Sequence, residues 1–211
     1  MRIAVINEVS AAAKNADIIA ALEAQKGVEV LNLGMRSPDD GAALTYIHTG
    51  LMAAVILNDG LCDLVVGGCG TGQGFINSVM QYPGVFCGLL ADPLDAWLFS
   101  QINNGNCVSL VLNKGYGWAG GINLELLFAE LFRYEPGRGY PPERSESQAQ
   151  SRETLHKISA AIHLPMPEII RNIDADILAP IFERAELMEF LRKNGGKDAA
   201  AELLKRMEES L

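Results

Sequence analysis

The sequence is poor in positive charge. Residues 1–145 hold 14 acids against 8 bases and residues 146–211 hold 12 against 9, which makes −6 and −3 and gives the formal net charge of −9. Eight bases over 145 positions leave little for the stripe of cations that draws its affinity from phosphates, which argues against a nucleic-acid partner. The same scarcity disfavours an anionic membrane surface. Long apolar runs are missing too: none approaches the roughly 20 residues needed to span a bilayer. Cysteine is limited to Cys62, Cys69, Cys87 and Cys107, with no CxxC pair, so no zinc site is expected. The three histidines, His48, His156 and His163, are scattered, and neither a metal nor a cofactor is expected. The opening Met1-Arg2-Ile3-Ala4-Val5-Ile6-Asn7 reads as an apolar strand, without a signal peptide's h-region and cleavage site. Together with the cysteines this points to reduced thiols in a cytoplasmic protein.

What is present is an ordinary globular mix, 49% hydrophobic and 20% charged, without internal repeats or low-complexity tracts. Short apolar runs at Arg2–Asn7, Val28–Leu33, Leu64–Gly67, Val85–Leu89 and Cys107–Leu112 lack clean alternation, as strands buried on both faces of a parallel sheet do. Between them lie helical patterns near Ala12–Gln25, Leu44–Asn58, Pro93–Asn103 and Ile122–Arg133. Pro93 suits a first helical turn, with Asp92 as N-cap. Strands alternating with helices predict an α/β fold, a doubly wound sheet with right-handed crossovers. After Tyr134, the Pro- and Gly-rich Glu135–Pro142 breaks regular structure. Beyond it the chain turns helical, with candidates Ser151–Ile162, Ala179–Asn194 and, after an Asn194-Gly195-Gly196 stop signal, Asp198–Ser210. We divide the chain accordingly into a domain of residues 1–145 and a helical extension of residues 146–211. Leu187, Phe190 and Leu191 recur at helical spacing, which predicts an apolar face packed on the core or on a neighbouring subunit.

The most informative segment is Val65-Val66-Gly67-Gly68-Cys69-Gly70-Thr71-Gly72-Gln73-Gly74-Phe75, a strand running into a glycine loop and a helix start. The carboxyl edge of a parallel sheet is where such folds bind ligands. Glycines let backbone N–H groups approach an anionic oxygen, and a helix N-terminus adds positive potential. No GK[ST] follows, so this is not a P-loop, and its GxGxG spacing after the third strand is not a dinucleotide fingerprint. A thiol in this setting is expected to have a lowered pKa. Cys69 then suits proton abstraction beside a carbonyl, with the loop and the Thr71 hydroxyl holding the enediolate oxygen. The alternative is a small residue chosen for packing.

Other residues carry two readings each. His48 is either a pocket acid or carboxylate ligand, or a surface or inter-subunit histidine. Asp92 and Asp95 are read as helix-start residues rather than catalytic ones. Gly115–Gly121 is either a pocket wall with Tyr116 and Trp118 on the ligand, or a tight connection with a buried aromatic. Arg138 and Arg144 are ligand grips or solvated charges.

Gly68-Cys69-Gly70-Thr71-Gly72 after an apolar strand, the following Pro83-Gly84-Val85, and Gln101-Ile102-Asn103-Asn104-Gly105-Asn106 resemble the ribose-5-phosphate isomerase B and galactose-6-phosphate isomerase family over roughly residues 1–140. The resemblance implies a Rossmann-like five-stranded parallel sheet and metal-independent aldose–ketose isomerisation. It also implies a homodimer or homotetramer with sites at the subunit interface. By motif, Cys69 matches the enediol base, Thr71 the family threonine, and Gly70, Gly72 and Gly74 the anion loop. Tyr46 matches an active-site tyrosine, Asn103 the asparagine on the sugar, Glu8 the place of an aspartate, and Arg138 the first of two phosphate-gripping tail arginines.

The departures bear on the substrate. The family's ring-opening histidine is Ile102 here, and its N-terminal Asp-His-Ala-Gly reads Glu8-Val9-Ser10-Ala11. The second tail arginine falls near Pro142, with Arg144 close by. These losses imply a sugar that is already acyclic or unphosphorylated. Over its whole length the chain resembles one branch more closely, the isomerases of 4-deoxy-5-ketouronates. Its helical tail, Thr45-Tyr46, Ser100-Gln101-Ile102-Asn103 and Gly115-Tyr116-Gly117-Trp118 carry that likeness. Such a sugar cannot close the usual ring through O5, and its carboxylate would use Arg138 or Arg144. The rivals are a pentose- or hexose-phosphate isomerase, a non-catalytic sugar-binding protein and, more distantly, a nucleotide-binding domain.

Overall fold

The computed structural model describes residues 1–195 and 198–210. Arg2–Asn7 forms the first strand (β1), followed by a 3-10 turn at Ala12–Lys14 and helix α1 (Asn15–Glu23). Then come β2 (Glu29–Asn32), α2 (Tyr46–Asn58), β3 (Leu64–Cys69), α3 (Gln73–Val79), β4 (Cys87–Leu90), α4 (Pro93–Leu98), β5 (Cys107–Val111) and α5 (Gly120–Leu131). The remainder is helical: α6 (Ser145–Ile162), α7 (Met166–Asn172), α8 (Ala175–Phe182), α9 (Ala185–Asn194) and α10 (Asp198–Glu208). The five strands pair in parallel in the order β2-β1-β3-β5-β4. This is the doubly wound α/β sheet that the alternation of elements predicts.

Both faces of the sheet are covered, which is why the strands read as continuous apolar runs. One face packs Ile3, Val5 and Val66 against α1, α4 and α5 through Ile18, Leu22, Ala96, Leu124 and Phe128. The other packs Ala4, Ile6 and Val65 against α2 and α3 through Leu51, Val55, Phe75 and Val79. Helix α2 is apolar nearly all round, with Thr49–Ile56 buried. The reason is a second layer: Met166, Ile170, Leu178, Ile181 and Leu203 of α7, α8 and α10 join the same core and cover its outer side.

Polar contacts pin that layer. Asp59, the C-cap of α2, accepts from the N–H groups of Ala199 and Ala200 at the start of α10, each at 2.9 Å, so one carboxylate supplies that helix with its missing acceptors. The Ser159 hydroxyl of α6 accepts from Gly84 N–H at 2.9 Å. Arg206 donates to the carbonyls of Ile170, Arg171 and Ile173 at the end of α7. Buried Arg184 donates to Gly34 O at 3.0 Å and to Asp40 Oδ2 at 2.7 Å.

The differences from expectation have identifiable physical causes. The single helix expected at Ala179–Asn194 is two, broken at Glu183–Arg184, because Arg184 leaves helical geometry (φ −81, ψ 87) where its guanidinium reaches Gly34 and Asp40. Helix α7 escapes the sequence reading because Pro165 and Pro167 look like breakers. Here they occupy its N-cap and first turn, where proline is tolerated. β4 starts at Cys87 rather than Val85, because the Asn106 side chain bonds Phe86 N–H and Gly84 O in place of strand partners. Asp92 does cap α4, accepting from Asp95 N–H. Gly195 closes α9, and Gly196 of the same stop signal lies outside the described residues.

Two outcomes are expected. Asp59→Ala removes both acceptors at the start of α10 and should lower unfolding free energy by about 1–2 kcal/mol, seen as a lower urea midpoint with unchanged slope. The Arg36 N–H bond foremost, and then the Arg184 guanidinium, hold the Asp40 carboxyl below its ordinary range. A carboxyl lowered on folding contributes stability above its unfolded pKa of about 3.9, and loses it as pH falls through the lower folded value. The stability advantage of wild type over Asp40→Asn should therefore be constant near pH 6 and shrink steadily below about pH 4, as checked by urea unfolding at each pH.

Candidate active site

β1 and β3 lie side by side, pairing Asn7 with Gly68, yet they hand the chain to opposite faces. β1 leads to α1 on one face and β3 to α3 on the other. Chains that part this way leave a crevice above the carboxyl ends of the strands. Glu8 and Ser10 enter it from β1, and Cys69–Gly74 from β3.

Cys69 ends β3 and is 6% exposed. Its Sγ lies 4.0 Å from Thr71 Oγ1, so the sequence neighbours are neighbours in space. The turn between them and α3 needs glycine. Gly72 has φ +74, and a Cβ there would sit 2.3 Å from Leu89 Cδ1 and 3.1 Å from Leu110 O. Its carbonyl accepts from Ser109 Oγ at 2.6 Å. A Cβ on Gly74 would lie 2.7 Å from the Tyr46 ring, so this glycine lets Tyr46, the first residue of α2, rest on the loop.

Gly70 plays a different part from the anion donor the sequence suggests. Its N–H donates to Ser10 Oγ at 3.0 Å, and its carbonyl accepts from Asn113 and Lys114 N–H. Ser10 Oγ in turn donates to Glu8, whose other oxygen accepts from Ser10 N–H at 3.1 Å, and Ser10 O accepts from Asn113 Nδ2. The exits of β1, β3 and β5 are thus tied together through Ser10. Glu8 is 3% exposed and engaged with Ser10 on both oxygens. Gly72 N–H donates to Cys69 O, and Gln73 N–H to Thr71 Oγ1. Among the described residues, no carbonyl or side chain accepts from the Thr71, Gly74 and Phe75 amides.

His48 closes a capping box: its Nδ1 accepts from Thr45 N–H at 2.8 Å. Burial pushes its pKa down, which favours the neutral ring, with Nδ1 as acceptor and Nε2–H left as a donor.

A second group of candidate residues forms elsewhere. After α4 the chain makes a π turn at Phe99–Asn103 and closes on Asn104 in the left-handed region (φ 46). Gly137 and Gly139 N–H bond the carbonyls of Ser100 and Gln101, stitching the Pro/Gly segment to this turn. Arg152 of α6 donates to Ile102 O at 2.7 Å and Gly137 O at 3.1 Å. Beside it opens a cavity of about 590 Å³ whose walls include Asn103, Ile102, Gln148, Arg152 and His156. Cys69, Thr71, Glu8 and Tyr46 do not line it. Nor do Arg138, whose guanidinium lies 5.3 Å from the Tyr134 ring centre, and Arg144, which ends an exposed 3-10 turn.

The candidate site residues therefore fall into two groups, one around Cys69 and one around Asn103. Arg152 and Ser10 were missed in sequence. Gln148, Arg152 and His156 stand at i, i+4 and i+8 on one face of α6, a legible signal. The role of Ser10 depends on contacts 60 residues away and has no local signal. In the Gly115–Gly121 loop, Trp118 is 96% exposed rather than a buried aromatic, and Tyr116 donates to Asp17 Oδ2 at 2.6 Å as a brace.

The family model for ribose/galactose isomerases matches residues 3–122. A 4-deoxy-L-threo-5-hexosulose-uronate ketol-isomerase, solved with a tartrate, is similar with 39% identity and a TM-score of 0.93, over 99% of this chain and 100% of that one. A ribose-5-phosphate isomerase from Vibrio parahaemolyticus is similar with 40% identity and a TM-score of 0.92, over 98% and 99%. The type B ribose 5-phosphate isomerase of Trypanosoma cruzi, at 21% identity and a TM-score of 0.64 over 77% and 98%, shares the fold. No curated protein matches.

Gly72→Ala is expected to be the most damaging single change in the loop, because the strained φ and the Leu89 clash add. It should lower stability by about 1–3 kcal/mol, whereas Thr71→Ala, at an exposed position, should stay within about 0.5 kcal/mol of wild type in the same denaturation assay.

Proposed function

The chain belongs to the ribose/galactose isomerase family and is an aldose–ketose isomerase, and from that premise we propose that it acts on an acyclic, unphosphorylated sugar acid of the 4-deoxy-5-ketouronate kind. The observation that carries this reading is the wall of the Asn103 cavity. It presents apolar Ile102 next to Asn103, and among its lining residues Arg152 is the one arginine or lysine. An isoleucine cannot shuttle a proton to a ring oxygen. A sugar with a carbonyl at C5 lacks the hydroxyl that closes a six-membered ring, so it needs no such group. One guanidinium, with two donors already fixed by carbonyls, suits one carboxylate.

In this mechanism the Cys69 thiolate removes the proton from the carbon beside the carbonyl. The C–H electron pair becomes the C=C bond of an enediolate, and the carbonyl oxygen takes the negative charge. The Thr71 hydroxyl and the free amides of Thr71, Gly74 and Phe75 hold that oxygen. The hydroxyl on the deprotonated carbon then passes its proton to the enediolate oxygen while Cys69 returns its own proton to the former carbonyl carbon, so that the C=C pair forms the new C–H bond and the O–H pair forms the carbonyl of the other isomer. Tyr46 and Asn103 contact the sugar. Gly70 and Glu8 act through Ser10 by holding the loop, and no redox partner is consumed.

The separation of the two groups favours a complete site built from two copies, Cys69 from one and the Asn103 cavity from its partner, in a homodimer or homotetramer. The exposed Leu155, Ile158 and Ile162 on α6, beside the cavity, supply apolar surface for that contact. The Vibrio relative's name favours a second reading, isomerisation of ribose 5-phosphate.

The deciding experiment compares turnover of a 4-deoxy-5-ketouronate with that of ribose 5-phosphate, allose 6-phosphate and galactose 6-phosphate in D2O. The ketouronate should be converted with deuterium entering at C1 or C2. Preferred turnover of a phosphate sugar overturns the substrate, and binding without exchange overturns catalysis. Cys69→Ala should lower kcat by at least about 10²–10⁴-fold; full activity in that variant sinks the mechanism. Arg152→Met should raise KM for the uronate by about 10–100-fold, the worth of a charged hydrogen bond, and should leave a neutral sugar unaffected.

A further inference from the structure

Arg184 lies at the break between α8 and α9 and is 3% exposed. Its guanidinium reaches back 144 to 150 residues to the connection between β2 and α2, bonding Gly34 O, Asp40 O and Asp40 Oδ2. That connection, residues 33–45, has no regular structure, and its crest from Ser37 to Gly41 is largely exposed. A second tie runs beside the first, between Arg36 and Glu186 at 3.3 Å.

The loop that Arg184 grips encloses the β1 exit. Met35 N–H donates to Asn7 O at 2.9 Å and Val9 N–H donates to Leu44 O at 2.9 Å, so Glu8 is bracketed on both sides by this loop. The loop ends in Thr45, which caps α2, and Tyr46, whose ring rests on Gly74. We propose that Arg184 is a positioning residue: together with Asp40 it fixes the 33–45 loop, and through it the placement of Tyr46 and of the Glu8–Ser10 turn against the Cys69 loop. The proposal deepens the active-site reading above and rests on it for its effect on turnover.

Stability alone accounts poorly for this residue. A buried guanidinium costs desolvation, and among the described residues its Nε finds no acceptor. An apolar side chain of similar volume often serves a core as well or better. What an apolar residue cannot do is fix two loop positions, Gly34 and Asp40, by directional bonds.

The test uses the full chain in three variants: Arg184→Met, Arg184→Lys and, as a control, Arg206→Met, which loosens the same helical layer without touching the loop. Two readouts are taken, amide hydrogen exchange over residues 33–47 and separate kcat and KM values for a 4-deoxy-5-ketouronate. Arg184→Met should speed exchange in 33–47 and raise KM by about tenfold or more, with kcat within about threefold. Arg184→Lys, which keeps the charge and loses the fork, should recover part of the KM effect. Arg206→Met should lower the melting temperature and leave both readouts at wild type. Unchanged exchange in Arg184→Met, an unchanged KM despite a loosened loop, or equal effects from Arg206→Met would each overturn the proposal. A wild-type chain that does not turn over the ketouronate defeats the substrate reading instead. Exchange over 33–47 then decides by itself whether Arg184 holds the loop.

Discussion

The parallel pairing of β1 with β3 is the constraint on which the rest of the site depends. Two neighbouring strands that send their chains to opposite faces open a gap between their ends, and backbone must cross that gap from both sides. The pairing of Asn7 with Gly68 sets the height at which Glu8 and Cys69 emerge. A slip of one residue would turn both side chains to the other face. The glycines of the β3 exit then follow from crowding: Leu110 O stands 2.5 Å from where a Cβ on Gly68 would be, and Leu89 Cδ1 2.3 Å from one on Gly72. A glycine-rich loop here is as much a packing requirement as a chemical one.

The distinction matters for how the loop works. In the sequence every glycine amide looks like a donor for an anion. In the fold, Gly70 donates to Ser10 and Gly72 to Cys69 O, so part of the loop's hydrogen-bonding capacity holds the loop itself in shape. The amides left over belong to Thr71, Gly74 and Phe75. Preorganisation of this kind lets donors meet developing charge without rearranging.

Much of the sheet was legible because its signals are local. β1 and β5 are apolar runs bounded by polar residues, and Thr45, Asp92 and Pro93 sit at helix starts for reasons their own chemistry supplies. Cys69, Thr71 and Tyr46 were legible as site candidates through motif, and the fold brings them to one rim. Asn103 was legible too, but not that it would stand in a cavity apart from Cys69. What stayed hidden depends on distant partners. Ser10 is an unremarkable serine until Gly70 arrives, and Arg184 looks like a helix-face charge until Asp40 accepts it. Helix α7 hid behind two prolines whose meaning reverses between the inside of a helix and its first turn.

The bond between Asp59 and α10 has a consequence for synthesis on the ribosome. Asp59 leaves the exit tunnel about 140 residues ahead of the two amides it accepts, which at ordinary translation speeds of about 5–20 residues per second is an interval of roughly 7–28 seconds. Once β5 has followed, the outer side of α2, apolar nearly all round, has its inner partner in the sheet but still lacks its covering layer. The nascent chain therefore carries a greasy, unshielded helix beside an already formed sheet. For that interval it is a natural client for a chaperone, and a ribosome stalled within it would release a species prone to aggregate.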